Sequence, residues 1–97
     1  MLVKFTKWAD EISAQIKQEN FDVEITSIEN YFTKIMIESN QFVSEIVYWG
    51  ESNQYVAEIL SVSSGKTILH NSGDMNKDAV LSEFFSEFFD KMNIAIE

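Results

Sequence analysis

Residues 42–60 read FVSEIVYWGESNQYVAEIL, and this stretch decides the fold. Two runs, 42–49 and 54–62, are rich in β-branched and aromatic residues and alternate apolar with polar positions. That period of two is typical of a strand with one buried face. Gly50-Glu51-Ser52-Asn53 lies between the runs and consists of turn-forming residues. The stretch therefore predicts an antiparallel hairpin with a four-residue loop.

The same alternation continues on both sides of this hairpin. Further strands are predicted at 21–27, 31–38 and 66–70. The connections between them are short and carry turn signals, namely Glu29-Asn30, Ser39-Asn40 and Ser64-Gly65. Because short connections join antiparallel neighbours, the five runs predict an antiparallel meander.

A helix is predicted on each side of the strands, over residues 3–19 and 77–92. Both segments carry apolar residues at offsets that form one stripe along a helix. These residues are Phe5, Trp8, Ala9, Ile12 and Ile16 in the first segment and Leu81, Phe84, Phe85, Phe88 and Met92 in the second. Asp74 or Asn76 is the expected N-cap of the second helix, after the turn residues 71–73.

The predicted turns also imply a register. We take Ser39-Asn40 as a two-residue loop and 28–30 as a three-residue loop. With the four-residue loop at 50–53, one row of side chains then crosses four strands on one face: Glu24, Lys34, Glu45 and Glu58. Apolar residues border this row on the same face: Phe32, Met36, Val43, Val47, Val56, Leu60 and Leu69, with Trp49 near the edge.

The opposite face of the predicted sheet carries no charge. The same register aligns Tyr31, Tyr48 and Tyr55 there, among aliphatic residues. Both amphipathic helices are expected to pack on that face, because buried apolar area stabilises the fold by about 25 cal/mol per Å². The prediction is an α+β two-layer sandwich in the order α-β-β-β-β-β-α, with residues 1–97 as a single domain.

Composition limits the chemistry that is available. The chain has 97 residues, 45% of them hydrophobic and 13% aromatic, which is enough for one core without a disulfide or a metal. It contains no Cys, so thiolate zinc sites and Cys nucleophiles are excluded. Lysines interrupt its first residues, which therefore do not form the apolar stretch that a signal peptide needs. No stretch approaches the length of a membrane span. We therefore expect a cytoplasmic protein without a cofactor.

The charge is strongly acidic. Sixteen Asp and Glu residues against seven Lys give a formal net charge of −9, and the chain has no Arg. Such a field repels nucleic-acid phosphates and anionic membranes and attracts basic partners. We therefore expect no direct nucleic-acid or membrane binding. Solubility alone is the other explanation of this charge.

No pattern for catalysis or metal binding stands out. His70 is the only histidine and has no Cys or Ser-Asp partner in the sequence. We therefore expect it to be a structural or surface residue and not a catalytic base. Residues 74–78 resemble the opening of a calcium loop but lack its glycine and closing Glu, and helix capping explains them better. Glu45 and Glu58 form a pair of carboxylates that could share a proton or a divalent cation, or simply a solvated face.

The charged face is the candidate binding surface. A sheet face that mixes carboxylates with apolar side chains is typical of a protein interface. The predicted partner-binding residues are Glu24, Lys34, Glu45, Val47, Trp49, Val56 and Glu58. The alternatives are that a loop, the tail Ile94-Ala95-Ile96 or a second copy of the chain covers this face.

Three stretches carry a family resemblance: residues 5–12 (FTKWADEI), 21–29 (FDVEITSIE) and 83–89 (EFFSEFF). They resemble small immunity proteins of bacterial polymorphic toxin systems, in particular the TriTu-type proteins that accompany LXG toxins of Gram-positive bacteria. The resemblance implies a cytoplasmic protein that binds and neutralises a cognate toxin domain. It implies no catalytic residues.

Four functions therefore follow as hypotheses. The first is a toxin-neutralising immunity protein whose partner is a basic toxin domain. The second is an acidic mimic of nucleic acid that blocks a DNA-binding protein. The third is a small hydrolase that uses Glu45 and Glu58 with a divalent ion. The fourth is a structural subunit or homodimer formed through Phe89 and the open sheet face.

Overall fold

The computed structural model describes residues 1–96 and contains, in order, a helix, five strands and two short helices. The elements are α1 (Leu2–Gln18), β1 (Asp22–Ile28), β2 (Phe32–Glu38), β3 (Phe42–Trp49), β4 (Gln54–Ser61), β5 (Thr67–Asp74), α2 (Leu81–Phe84) and α3 (Ser86–Lys91).

The strands form one antiparallel sheet in the order β1-β2-β3-β4-β5, which confirms the predicted meander. Helix α1 contacts β1, β2 and β3, and α3 contacts β4. The side chains under the helices come from alternate strand positions, including Ile35, Ile46 and Ile59, which are fully buried. We call this side the helix face and the other side the open face. The two-layer α+β architecture is therefore confirmed.

Helix α1 buries the stripe that its sequence predicts. Phe5, Trp8, Ala9, Ile12 and Ile16 are all buried, while the residues between them are mostly exposed. A buried hydroxyl contact also fixes the helix to the sheet, because Thr6 Oγ1 lies 2.6 Å from Thr33 Oγ1. Burial of one stripe and one polar anchor determine how the helix lies on β1 to β3.

An aromatic cluster joins the two ends of the chain over the sheet. The ring of Trp8 stacks on that of Phe85 with centroids 5.5 Å apart. Phe5 lies 5.5 Å from Tyr48 on β3, centroid to centroid. The indole N–H of Trp8 also donates to Ser82 Oγ at 2.9 Å, so the polar edge of a buried ring is satisfied.

The C-terminal helix differs from the prediction. Residues 77–92 do not form one helix, since the chain becomes helical only at Leu81 and is interrupted at Phe85. The expected N-cap at Asp74 or Asn76 is also wrong. Asp74 pairs with Gln54 as the last residue of β5, and Asn76 Oδ1 accepts from the Asp78 N–H at 2.9 Å in a turn. The apolar pattern is still used, because Leu81, Phe85, Phe88 and Met92 are buried.

The fifth strand is longer than predicted, ending at Asp74 instead of residue 70. Asn71, Ser72 and Gly73 were interpreted as turn residues, yet they pair with Ala57, Val56 and Tyr55 of β4. Pairing with an existing edge overrides weak local propensity. A register irregularity at Ile59/Leu60 places Leu69 on the helix face, where it is buried, so its predicted place on the charged face is wrong.

Tyr31 is also misplaced by the sequence prediction. It lies in the turn between β1 and β2 and is 62% exposed, whereas Thr33 takes the position opposite Tyr48. Tyr48 and Tyr55 do pair across β3 and β4, as predicted.

Asn53 connects the β3–β4 turn to the end of β5. Its backbone is left-handed (φ 54°), a conformation that Asn tolerates better than most residues. The Tyr48 hydroxyl donates to Asn53 Oδ1 at 2.6 Å, and Asn53 Nδ2 donates to the Met75 carbonyl at 2.8 Å. The Met75 N–H returns a bond to the Asn53 carbonyl at 2.9 Å. The turn is thus held rigidly beside the chain that leaves the sheet.

The buried hydroxyl of Tyr48 leads to a pH-dependent prediction. Burial raises the pKa of Tyr48 above its ordinary value of 10.0. The unfolded chain therefore loses this proton first as pH rises past about 10, and stability falls from there upward. Tyr48→Phe should cost about 0.5–1.5 kcal/mol at neutral pH by removing a hydrogen bond. Its unfolding free energy should then decline less between about pH 9.5 and 11.

Denaturant unfolding at several pH values measures both effects. Tyr31→Phe is the matched control, because the same hydroxyl is removed from an exposed ring. Parallel pH curves for the wild type and Tyr48→Phe would contradict this account.

Candidate functional site

The open face is built from four rows of side chains that cross the sheet. The first two rows carry five carboxylates, and the last is apolar over the first three strands. In order, the rows are Asp22, Glu38, Val43, Leu60 and Thr67; Glu24, Met36, Glu45, Glu58 and His70; Thr26, Lys34, Val47, Val56 and Ser72; and Ile28, Phe32, Trp49, Gln54 and Asp74. The face is therefore acidic at one end and aromatic at the other.

The predicted charge row is correct in one of its three steps. Glu45 lies opposite Glu58, as the four-residue loop at 50–53 predicts. Lys34 lies opposite Val47 and not Glu45, and Glu24 lies opposite Met36 and not Lys34. Both errors are slides of two residues, so the four residues of the row keep their predicted face.

Each of these two-residue shifts in strand pairing is caused by the position of a turn. The Oγ of Ser39 accepts from the N–H groups of Gln41 and Phe42, at 3.1 and 3.2 Å, and the Ser39 N–H donates to the Phe42 carbonyl. Ser39 therefore precedes a two-residue loop at 40–41 instead of forming part of it. The first turn is likewise one residue later than predicted, because Ile28 pairs with Phe32. A preference of Ser for the position before a turn was the available signal.

All seven predicted partner-binding residues lie on the open face. Glu24, Glu45 and Glu58 share one row, Lys34, Val47 and Val56 share the next, and Trp49 lies in the last. Val47 is only 7% exposed although it lies outside the main core, whereas Trp49 is 39% exposed. Apolar side chains of differing exposure therefore lie on the same face as the charged groups.

His70 has a partner that the sequence did not suggest. Its Nδ1 lies 2.9 Å from Glu58 Oε2, on the strand pair β4 and β5. Both side chains are well exposed, so the pair contributes little to stability. The register of β5 on β4, with its irregularity at Ile59/Leu60, places His70 directly opposite Glu58.

The C-terminal tail does not cover the open face. Ile94 is buried in the main core, and Ile96 packs against the same core, on the side of the helices. Helices α1 and α3, which contact the sheet, also bury their apolar residues in that core. The alternative in which the tail covers this surface is therefore wrong.

The sequence prediction also missed a cluster at the aromatic end. Ile28, Phe32 and Trp49 are direct cross-strand neighbours, and Tyr31 stands beside them in the turn. Together with Glu51 and Ser52 they line a hollow of about 760 Å³. The predicted register separates Ile28 from Phe32, so this cluster does not follow from the predicted turns.

Carboxylates and apolar side chains make up most of the open face. Within residues 1–96, no three His, Asp or Glu side chains are grouped closely enough to hold a metal ion. In the same residues, no helix has the length and apolar character needed to cross a membrane. The structure is thus a small α+β domain with one face of its sheet left open.

A comparison of the sequence with models of known protein families gave a match. The family model described as immunity protein TriTu matches residues 3–91. The chain belongs to the TriTu immunity protein family, which confirms the resemblance seen in the sequence. A search of curated proteins found no match.

The arrangement of Glu45 and Glu58 leads to a stability prediction. Like charges directly opposite on neighbouring strands are destabilising, by about 0.2–1 kcal/mol. Glu45→Gln should therefore raise the free energy of unfolding by an amount in that range. Glu11→Gln is the control, because Glu11 is an exposed carboxylate in the middle of α1. Denaturant titration measures the difference, and a loss of stability in Glu45→Gln alone would show that the carboxylate is compensated in the fold.

Proposed function

We propose that this immunity protein binds a basic toxin domain through the open face and thereby neutralises it. The observation that supports the proposal best is the uncovered sheet face, where Glu24, Glu45 and Glu58 stand beside Val47 and Trp49. A sheet packed on one side only would otherwise leave this apolar surface in water without a use. Membership in the TriTu family supports the immunity function.

Charge favours a basic partner. The acidic end of the open face carries Asp22, Glu24, Glu38, Glu45 and Glu58, with Lys34 as the neighbouring cation. The whole chain has a formal net charge of −9. Opposed potentials steer encounter and raise the association rate, and they suppress binding to other acidic surfaces.

Apolar groups supply the complementary part of the interface. Val47 and Val56 are direct neighbours between the acidic and aromatic rows, and Trp49 stands next to them. Interface cores are depleted of charge and enriched in aromatic residues, which tend to contribute most of the binding free energy. We therefore assign a steering role to the carboxylates and an anchoring role to the apolar groups.

Neutralisation in this proposal requires occupation of the toxin and no reaction by the immunity protein. The protein acts in the cytoplasm of the toxin-producing cell, as a monomer or a homodimer, and needs no cofactor. Its partner is a protein, and nucleic acid does not enter the contact.

Charge reversal tests the proposal. The double variant Glu45→Lys/Glu58→Lys should weaken binding of the cognate toxin domain at least about tenfold, which corresponds to about 1.4 kcal/mol. The loss should be largest at low salt, because exposed charges are screened within about 8–10 Å at physiological ionic strength. Calorimetry measures the affinity, and rescue of growth in cells that express the toxin measures protection.

The matched control is Glu83→Lys/Glu87→Lys. It makes the same change in net charge at exposed positions of α2 and α3, on the other side of the sheet. Equal losses in both variants would mean that only the overall charge matters. Unchanged affinity in the open-face variant would remove this face from the interface.

A further inference from the structure

We infer that the hollow at the aromatic end of the open face receives an arginine side chain of the partner. The inference rests on the proposed function for the source of that arginine, and it names the chemistry of one part of the interface. The hollow is lined by Ile28, Tyr31, Phe32, Trp49, Glu51 and Ser52 and has a volume of about 760 Å³. That volume lies within the range of about 300–1,000 Å³ typical of small-ligand sites.

Exposure marks this hollow as unusual for a solvent-facing surface. Ile28 is 49% exposed, Tyr31 62% and Trp49 39%, and all three line the same concavity. Scattered single apolar groups are normal on a protein surface, but a cluster of large ones indicates a binding site.

The walls of the hollow are held in place without a ligand. Ile28, Phe32 and Trp49 are consecutive cross-strand neighbours on β1, β2 and β3. The Gly50 N–H donates to the Tyr31 carbonyl at 2.9 Å, which joins the two turns that carry Tyr31 and Glu51. A side chain that enters this site meets rings that are already positioned, so little ordering entropy is lost on binding.

The side chains that line the hollow favour an arginine side chain as its occupant. Indole, phenol and phenyl rings attract a cation through their π faces, and a guanidinium also stacks on them through its plane. Glu51 adds a carboxylate at the rim, and within residues 1–96 no other side chain pairs with it. An aliphatic stem along Ile28 and a charged head near Glu51 match the two ends of an arginine side chain. A leucine would leave the carboxylate unused.

The direct test uses small probes on the whole protein and needs no toxin. N-acetylarginine methylamide is titrated against the ¹⁵N-labelled chain, and the indole N–H signal of Trp49 is followed by NMR. Trp8 is the internal reference, because its buried indole donates to Ser82. The citrulline analogue has the same shape without the charge, and the leucine analogue has only the apolar part.

The arginine probe should bind about two- to fivefold more tightly than citrulline, with the Trp8 signal unmoved. Glu51→Gln should reduce the arginine probe to the level of citrulline and leave leucine unaffected, while Glu83→Gln should change nothing. Equal binding of arginine and citrulline, stronger binding of leucine, or no saturable change at Trp49 would each overturn the inference.

The toxin itself gives the second test. Trp49→Leu and Glu51→Gln should each weaken toxin binding about fivefold or more, since buried anchors carry most of an interface's free energy. Glu51→Gln preserves the shape of the site and decides the matter if Trp49→Leu does not fold. If the wild type binds the toxin and both variants bind equally well, the hollow is not an arginine site, although the proposed function stands. If the wild type does not bind the toxin, the proposed function fails and the probe titration alone judges the hollow.

Discussion

The contact of Trp8 with Phe85 over the sheet is the interaction on which the rest of the structure depends. It brings the first and the last helical segments together on one face of the meander, with Phe5 reaching Tyr48 below them. Because both ends of the chain are used on that side, the described chain has no element left for the other side. The open face is therefore a direct consequence of where the aromatic residues of the two termini meet.

A sheet face without a covering layer must be compatible with water and still form a regular sheet. The carboxylates of Glu24, Glu45 and Glu58 provide solubility, although two of them face each other at some cost in stability. Apolar groups such as the buried Val47 and the half-buried Val56 provide the lateral packing that strands need. In a binding protein, the charged and the apolar side chains act at different steps. Charge mainly accelerates encounter with the partner, and buried apolar contacts mainly slow dissociation.

Much of this fold could be predicted from the sequence because its signals are periodic and repeated. The stripe of Phe5, Trp8 and Ile12 and the alternation in β3 and β4 are strong, and the loop at 50–53 has one reasonable length. The end of β5 could not be predicted, because Asn71 and Ser72 follow a neighbouring strand against their own preference for turns.

The candidate site was predicted less completely than the fold. Alternation alone assigns a residue such as Lys34 to its face, and this assignment survives an error of two residues. Its neighbours depend on a hydrogen bond of Ser39 that no periodicity records. The hollow around Trp49 needs two correct turns together, and for that reason the sequence did not reveal it.

The turn at Ser39 also has a consequence for both faces of the sheet. If the loop moves by one residue, β2 slides along β3 by two residues and the pleat remains in phase. On the helix face the same slide would place Ile35 opposite Ser44 instead of Ile46, and Ser44 would leave its position opposite Ile37, whose carbonyl its hydroxyl binds at 2.9 Å. On the open face it replaces Val47 by Glu45 beside Lys34. The turn at Ser39 therefore sets the neighbours on the open face and the packing of the core together, so a change of register would alter both sides of the sheet at once.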